Sequence, residues 1–125
     1  MARLARTGGE ANAISVRIAR VNCKNGRDHI AICGYHGWHD WYLSANIKNK
    51  KNLDNHLLAG LSTDGVPKEL KGTVHPFMFN DLKSFQKIIK KKKKIGIVKM
   101  EVHRNLPPNK DFLDGLMKII YQALI

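Results

Sequence analysis

The sequence predicts an α/β fold with a largely parallel sheet. Two observations carry that reading. Strand-length apolar runs alternate with segments of helical period, in the order helix, strand, loop, strand, helix, strand, helix. The run Ile30-Ala31-Ile32-Cys33 is apolar without alternation, as a strand buried on both faces is.

Residues 3–6 offer a possible extra strand in front. Residues 10–22 read as a helix, with Ala11, Ile14, Ile18 and Val21 on one face and Arg17, Arg20 and Lys24 on another. Thr7 is its expected N-cap, with Glu10 at capping-box spacing. Gly26 suits the helix exit. A strand over residues 29–34 follows, then the aromatic stretch from Tyr35 through Trp38 and Trp41 to Tyr42. Residues 46–72 are polar, carry Gly60, Gly65, Pro67 and Gly72, and read as an irregular loop longer than usual, a mark of function or mobility. Residues 73–77 form a weak strand interrupted by Pro76. Residues 81–94 are an amphipathic helix capped by Asn80. Leu82, Phe85, Ile88 and Ile89 face inward, and Lys83, Lys87, Lys90, Lys91 and Lys94 face water. Residues 95–100 are the next buried strand, ending at Glu101. Pro107-Pro108 breaks the chain, and residues 111–124 form a last helix with Leu113, Leu116, Met117, Ile120 and Leu124 inward.

A chain of 125 residues has room for one domain. Apolar residues at 43% and charged residues at 26% are ordinary globular values. No apolar run approaches the ~20 residues of a membrane span, and the first residues lack the apolar core of a signal peptide. The expected compartment is the cytoplasm, with Cys23 and Cys33 reduced. Charge is the one extreme: 22 Lys plus Arg against 10 acids give +12. That excess suits a polyanion. Yet neither the Lys90–Lys94 block nor the Lys48, Lys50, Lys51 cluster is interleaved with aromatic residues for base stacking. A solvated lysine face accounts for most of it.

In parallel sheets ligands gather beyond the carboxyl ends of the strands, and three groups fall there. Thr7-Gly8-Gly9 puts small residues at a helix N-terminus, where amides and dipole favour an anion; it is also a plain capped start. Tyr35, Trp38, Trp41 and Tyr42 could stack on a flat ligand or pack a core. Glu101 reads as a hydrogen-bond acceptor in the crevice, or as a strand-end charge in solvent or paired with Arg104. Cys33, His36 and His39 have zinc-like spacing but lack a second ligand pair, so no metal is expected.

Three motifs together carry a family resemblance. The segment from Thr7-Gly8-Gly9-Glu10 to Arg20 resembles the cofactor phosphate-binding segment of class III aminotransferases, which are fold-type I pyridoxal-phosphate (PLP) enzymes. Gly34-Tyr35-His36-Gly37-Trp38 resembles their aromatic segment. Met100-Glu101-Val102, with residues 111–116 beyond, resembles their Glu-Pro motif and the following helix. The branch that looks nearest is that of glutamate-1-semialdehyde aminomutases. The resemblance implies one incomplete domain over residues 1–125, part of a three-layer α/β/α large domain. It implies PLP as cofactor, a small amino, oxo or amino-sugar substrate, amino-group transfer or migration, and a homodimer. Gly8 and Gly9, beside Thr7, would bind the phosphate. Tyr35 would stack on the ring, His36 and Trp38 would line the cofactor and substrate side, and Glu101 would set the site below the ring. Gly9 stands where the family often has a hydroxyl residue, and Val102 replaces the proline. The family's ring-pairing Asp and Schiff-base Lys motifs find no match in this chain, which implies half a site and no catalysis by the chain alone. The competing readings are a basic, non-catalytic polyanion-binding module and a subunit completed by another chain.

Overall fold

The computed structural model describes residues 2–103 and 105–124. Its elements are α1 (Gly8–Asn22), β1 (His29–Cys33), α2 (Asp40–Leu43), β2 (Val74–Pro76), α3 (Leu82–Lys91), β3 (Ile95–Met100) and α4 (Lys110–Leu124), with short 3-10 turns at Ser44–Asn46 and Lys68–Leu70. The three strands form one parallel sheet in the order β2-β1-β3. Ile30 pairs with Val74 on one side and Ile97 on the other, and a register shift falls between His29 and Ile30.

Because side chains alternate along a strand, β1 feeds two cores. Ile30 and Ile32 join Val16, Trp41, Tyr42, Ala45, Leu53, Val74 and Ile97 on the α1 side. Ala31 and Cys33 join Phe77, Phe85, Ile95, Phe112 and Leu116 on the α3–α4 side. The sheet is thus the middle of three layers, and β1, central and apolar throughout, is buried from Ile30 to Cys33. Parallel pairing points all three strands the same way, so the segments after β1 and β3 emerge at one edge of the sheet.

Several sequence expectations change. Residues 3–6 form no strand, and Leu4 is exposed. The inward face of α1 is not the Ala11, Ile14, Ile18, Val21 face: Val16 is buried, Ala13 and Ala19 pack beside it, and Ile18 and Val21 are exposed. Small side chains let the helix lie close on the sheet, where Ile30, Ile32 and Ile97 already supply the bulk. Asp81, not Asn80, caps α3, its carboxylate accepting from the Ser84 amide at 3.0 Å. Asn80 has φ 58° and instead accepts from the Asn109 amide at 2.8 Å, tying the 107–109 segment to this helix. In α4 Phe112 is buried and Met117 is exposed, a rotation of the inward face that lets Phe112 meet Phe79 edge-on. Leu82, Phe85, Ile88 and Ile89 of α3 do face the core, and Lys83, Lys87 and Lys90–Lys94 are all exposed.

Candidate functional site

Three segments meet beyond the carboxyl ends of β1 and β3. The first is the start of α1. Thr7 is extended, at φ −132° and ψ 158°, and its Oγ1 accepts from the Glu10 amide at 3.1 Å. The Glu10 carboxylate reaches back one residue beyond the usual capping box, accepting from the Arg6 amide at 2.7 Å. The amides of Gly8 and Gly9 precede the first intrahelical bond, which the Ala11 amide gives to the Thr7 carbonyl. The space over Gly8 is open, since a Cβ there would meet nothing within 4 Å.

The second segment is the turn after β1. Gly37, at φ 101°, lies so close to α1 that a Cβ on it would be 2.9 Å from the Cα of Gly9. The His39 ring lies against the same corner, 3.3 Å from where a Cβ on Gly9 would be. Asn12 adds a polar tie, donating to the His36 carbonyl at 3.2 Å. The Gly8–Gly9 start and the Tyr35–His39 turn are therefore in direct backbone contact.

The third segment is the end of β3. The Glu101 amide donates to the Cys33 carbonyl at 3.1 Å, continuing the ladder. Its carboxylate comes back under Gly34 and accepts from the Tyr35 amide at 3.4 Å. Gly34 has φ 96°, which favours glycine, and a Cβ on it would lie 2.5 Å from Glu101 Oε2, so the carboxylate would have to move. The same peptide is held elsewhere: its N–H donates to His56 Nδ1 at 3.1 Å, and the Tyr42 hydroxyl donates to its carbonyl at 3.0 Å. Accepting at Nδ1 places the proton of a neutral His56 on Nε2. His56 comes from within the irregular 46–72 stretch, and nothing in its local sequence marks it. Only the folded path of that stretch brings it back to β1.

Tyr35 is half-buried and edge-on to Tyr42, ring centres 5.7 Å apart. Trp38 is exposed and stacks on His39. His36 turns inward: its Nε2 donates to the Cys33 carbonyl at 2.9 Å, and its ring packs against Trp41 and Tyr42. Burial lowers its pKa, only partly opposed by the bond to the Cys33 carbonyl. Cys33 is buried and its thiol is pushed up to about 12 by burial, with the Glu101 charge adding to the rise. Trp41 Nε1 is buried without a hydrogen-bond partner among the described residues. Among those residues no group of three His, Cys, Asp or Glu could hold a metal ion, and no helix is long and apolar enough to cross a membrane. Arg104, the alternative partner for Glu101, lies outside the described residues.

Chemically this is a polar rim with two glycine amides that have no hydrogen-bond partner among the described residues, an aromatic pair and the Glu101 carboxylate, on a backbone fixed from three sides.

The fold is that of part of a transaminase. An omega-transaminase from Sphaerobacter thermophilus superposes with TM-score 0.70 at 21% identity, covering 95% of this chain and 28% of that one. A structure described as a transaminase with PLP bound gives TM-score 0.71 at the same identity and coverage. In sequence the chain is 33% identical over 93 residues to a 3-aminobutyryl-CoA aminotransferase of Cloacimonas acidaminovorans, covering 74% of this chain and 18% of that protein. It is 30% identical over 126 residues to a glutamate-1-semialdehyde 2,1-aminomutase of Sulfolobus acidocaldarius, covering 94% of this chain and 27% of that protein. No protein-family model matches. The chain is a homologue of the class III aminotransferases, with glutamate-1-semialdehyde aminomutases among its relatives, and it spans about a quarter or less of their length.

Proposed function

We propose that this chain supplies the phosphate- and ring-facing half of a PLP site, within a cytoplasmic enzyme that moves amino groups on small amino or oxo compounds and works as a homodimer. Residues 1–125 are then one incomplete domain, part of the cofactor-binding large domain, with 46–72 as its loop. The observation that carries this reading is the backbone contact between the start of α1 and the Tyr35–His39 turn, with Glu101 closing the same corner.

The residues present fit the cofactor. The open face of Gly8 and the unpaired first amides of α1 suit a phosphate, which the helix dipole also favours. Thr7 Oγ1 accepts in its cap, which leaves the hydroxyl proton to donate to the phosphate. Tyr35 offers the ring face, and Glu101 holds the Tyr35 amide and so sets that ring's height. His36 serves as an internal brace for the turn, and Trp38 is the exposed side chain toward substrate. PLP, when bound, supplies the electron-withdrawing ring that stabilises a carbanion beside the amino group. This chain's part is to bind and orient.

Pyridoxine phosphate, which has no aldehyde to attach to surface lysines, tests the reading. Followed by tryptophan fluorescence, it is expected to bind this chain at least about tenfold tighter than pyridoxine, equivalent to about 1.4 kcal/mol. Gly9→Val, which fills the contact with Gly37 and His39, is expected to abolish the difference. Equal affinity for the two compounds, or an unchanged ratio in the variant, overturns it.

A further inference from the structure

We propose that Lys99 is a carbonyl-reactive amine, a site where a small aldehyde or ketone condenses with this chain. Every other lysine of the chain is exposed; Lys99 alone is half-buried. Its place on β3 turns it toward α1, on the same face as Ile97. There Nζ donates to Ser15 Oγ at 3.1 Å. The Ser15 hydroxyl is itself fixed, donating to the Asn12 carbonyl at 2.8 Å, so its oxygen can only accept from the lysine.

This partner is neutral, which matters. A carboxylate would hold the lysine as an ammonium ion; a neutral hydroxyl favours that form far less and, once the amine is free, accepts from an N–H and leaves the lone pair available. Beside it is an open surface depression of about 190 Å³ lined by Ser15, Val16, Ala19, Ile97, Val98 and Lys99, mostly alkyl surface. The volume suits a compound of a few carbon atoms. Burial lowers the Lys99 pKa, in keeping with the neutral, apolar surroundings. The titratable groups on the elements around it are Glu10, Arg17 and Arg20 of α1, His29 and Cys33 of β1, and His36 and Glu101.

The step balances without a further reagent. The Nζ lone pair forms a bond to the carbonyl carbon. The carbonyl oxygen then takes both amine protons and leaves as water, and a C=N bond remains. The inference is independent of the PLP reading, because no ring or phosphate is involved.

The test is reductive labelling of the full chain at neutral pH with limiting propionaldehyde and cyanoborohydride, followed by peptide mapping. Lys99 is expected to carry severalfold more propyl label than the mean of Lys90–Lys94, although those are far more exposed. Lys99→Arg is expected to remove that fast component and leave the other sites unchanged. In urea the preference is expected to vanish. Labelling of Lys99 at or below the mean of Lys90–Lys94 overturns the proposal. So does a preference that survives urea, since the fold would then not create it.

Discussion

Helices α1 and α3 both carry an apolar stripe in the sequence, weak in α1 and strong in α3, and have opposite relations to the sheet. In α3 the large apolar side chains are the packing face: Phe85 is fully buried, and Leu82, Ile88 and Ile89 flank it. In α1 the large side chains Ile18 and Val21 are 50% and 79% exposed, while Ala13, Val16 and Ala19 meet the sheet. Burial in α3 is driven by apolar area, at about 25 cal/mol per Å². In α1 it is driven by position. The Thr7 cap, the Gly9–Gly37 contact and the Asn12 tie fix the rotation of the helix at its start, and small residues then occupy the face that results. The helix that builds the candidate site is held by its terminus, and the helix that does not is held by its core.

The largest effect separates the two directly. Phe85→Ala removes a fully buried ring and is expected to cost about 3–5 kcal/mol. Ile18→Ala on the outer face of α1 is expected to change stability by less than about 0.5 kcal/mol. Urea midpoints of the two variants compare them, and an equal loss would show that α1 is packed the other way round.

Next comes Gly34→Ala. It places a methyl on Glu101 at φ 96° and is expected to destabilise by about 1–3 kcal/mol. It should also weaken pyridoxine phosphate binding through Tyr35. The double variant with Glu101→Ala, which removes the obstructing carboxylate, should recover part of the stability loss but not the binding.

A pH effect belongs to the opposite end of the sheet. His29 Nδ1 and His75 Nε2 are 3.2 Å apart at the start of the strands. The His75 pKa falls to about 4, first from burial, then from the neighbouring His29 and Lys92. Below the usual value of 6.5 the unfolded chain takes up a proton that the folded chain refuses. Stability is therefore expected to fall from about pH 6.5 down to about 4 and not to fall further on this account. Melting temperatures across that range should fall less steeply in His75→Gln, the remaining slope coming in part from His36, whose pKa burial also lowers.

The smallest effect tests the anchoring of α1. Thr7→Ala removes the cap and is expected to cost about 1 kcal/mol. Thr7→Ser should retain most of it. Hydrogen exchange of the Glu10 amide reports the fraying directly.

Much of this was legible in the sequence, for reasons that can be named. Strand β3 matches residues 95–100, and α3 shows its face in the sequence because each depends on its own local pattern. Thr7 as a cap is equally local. Gly34 and Gly37 belong to a motif that resembles a known family's, but their need for glycine arises from Glu101 and Gly9, far away in the chain. His56 is the clearest omission: it binds the Gly34 amide across 22 residues, from a stretch with no periodic pattern. His36 has the residue type of a site side chain, yet it faces the core, because a carbonyl of β1 lies within reach of its ring.

The sequence alone determined the alternation of elements, the parallel sheet, the solvent face of the lysine block and the homology to aminotransferases. All of these follow from the order and spacing of residue types along the chain. Tertiary structure alone decided which face of α1 is buried, which groups hold the Gly34 peptide, and that Lys99 lies half-covered against a serine. Each of these depends on two segments meeting at a distance of a few ångströms, and the pattern within one segment carries no information about what the other brings.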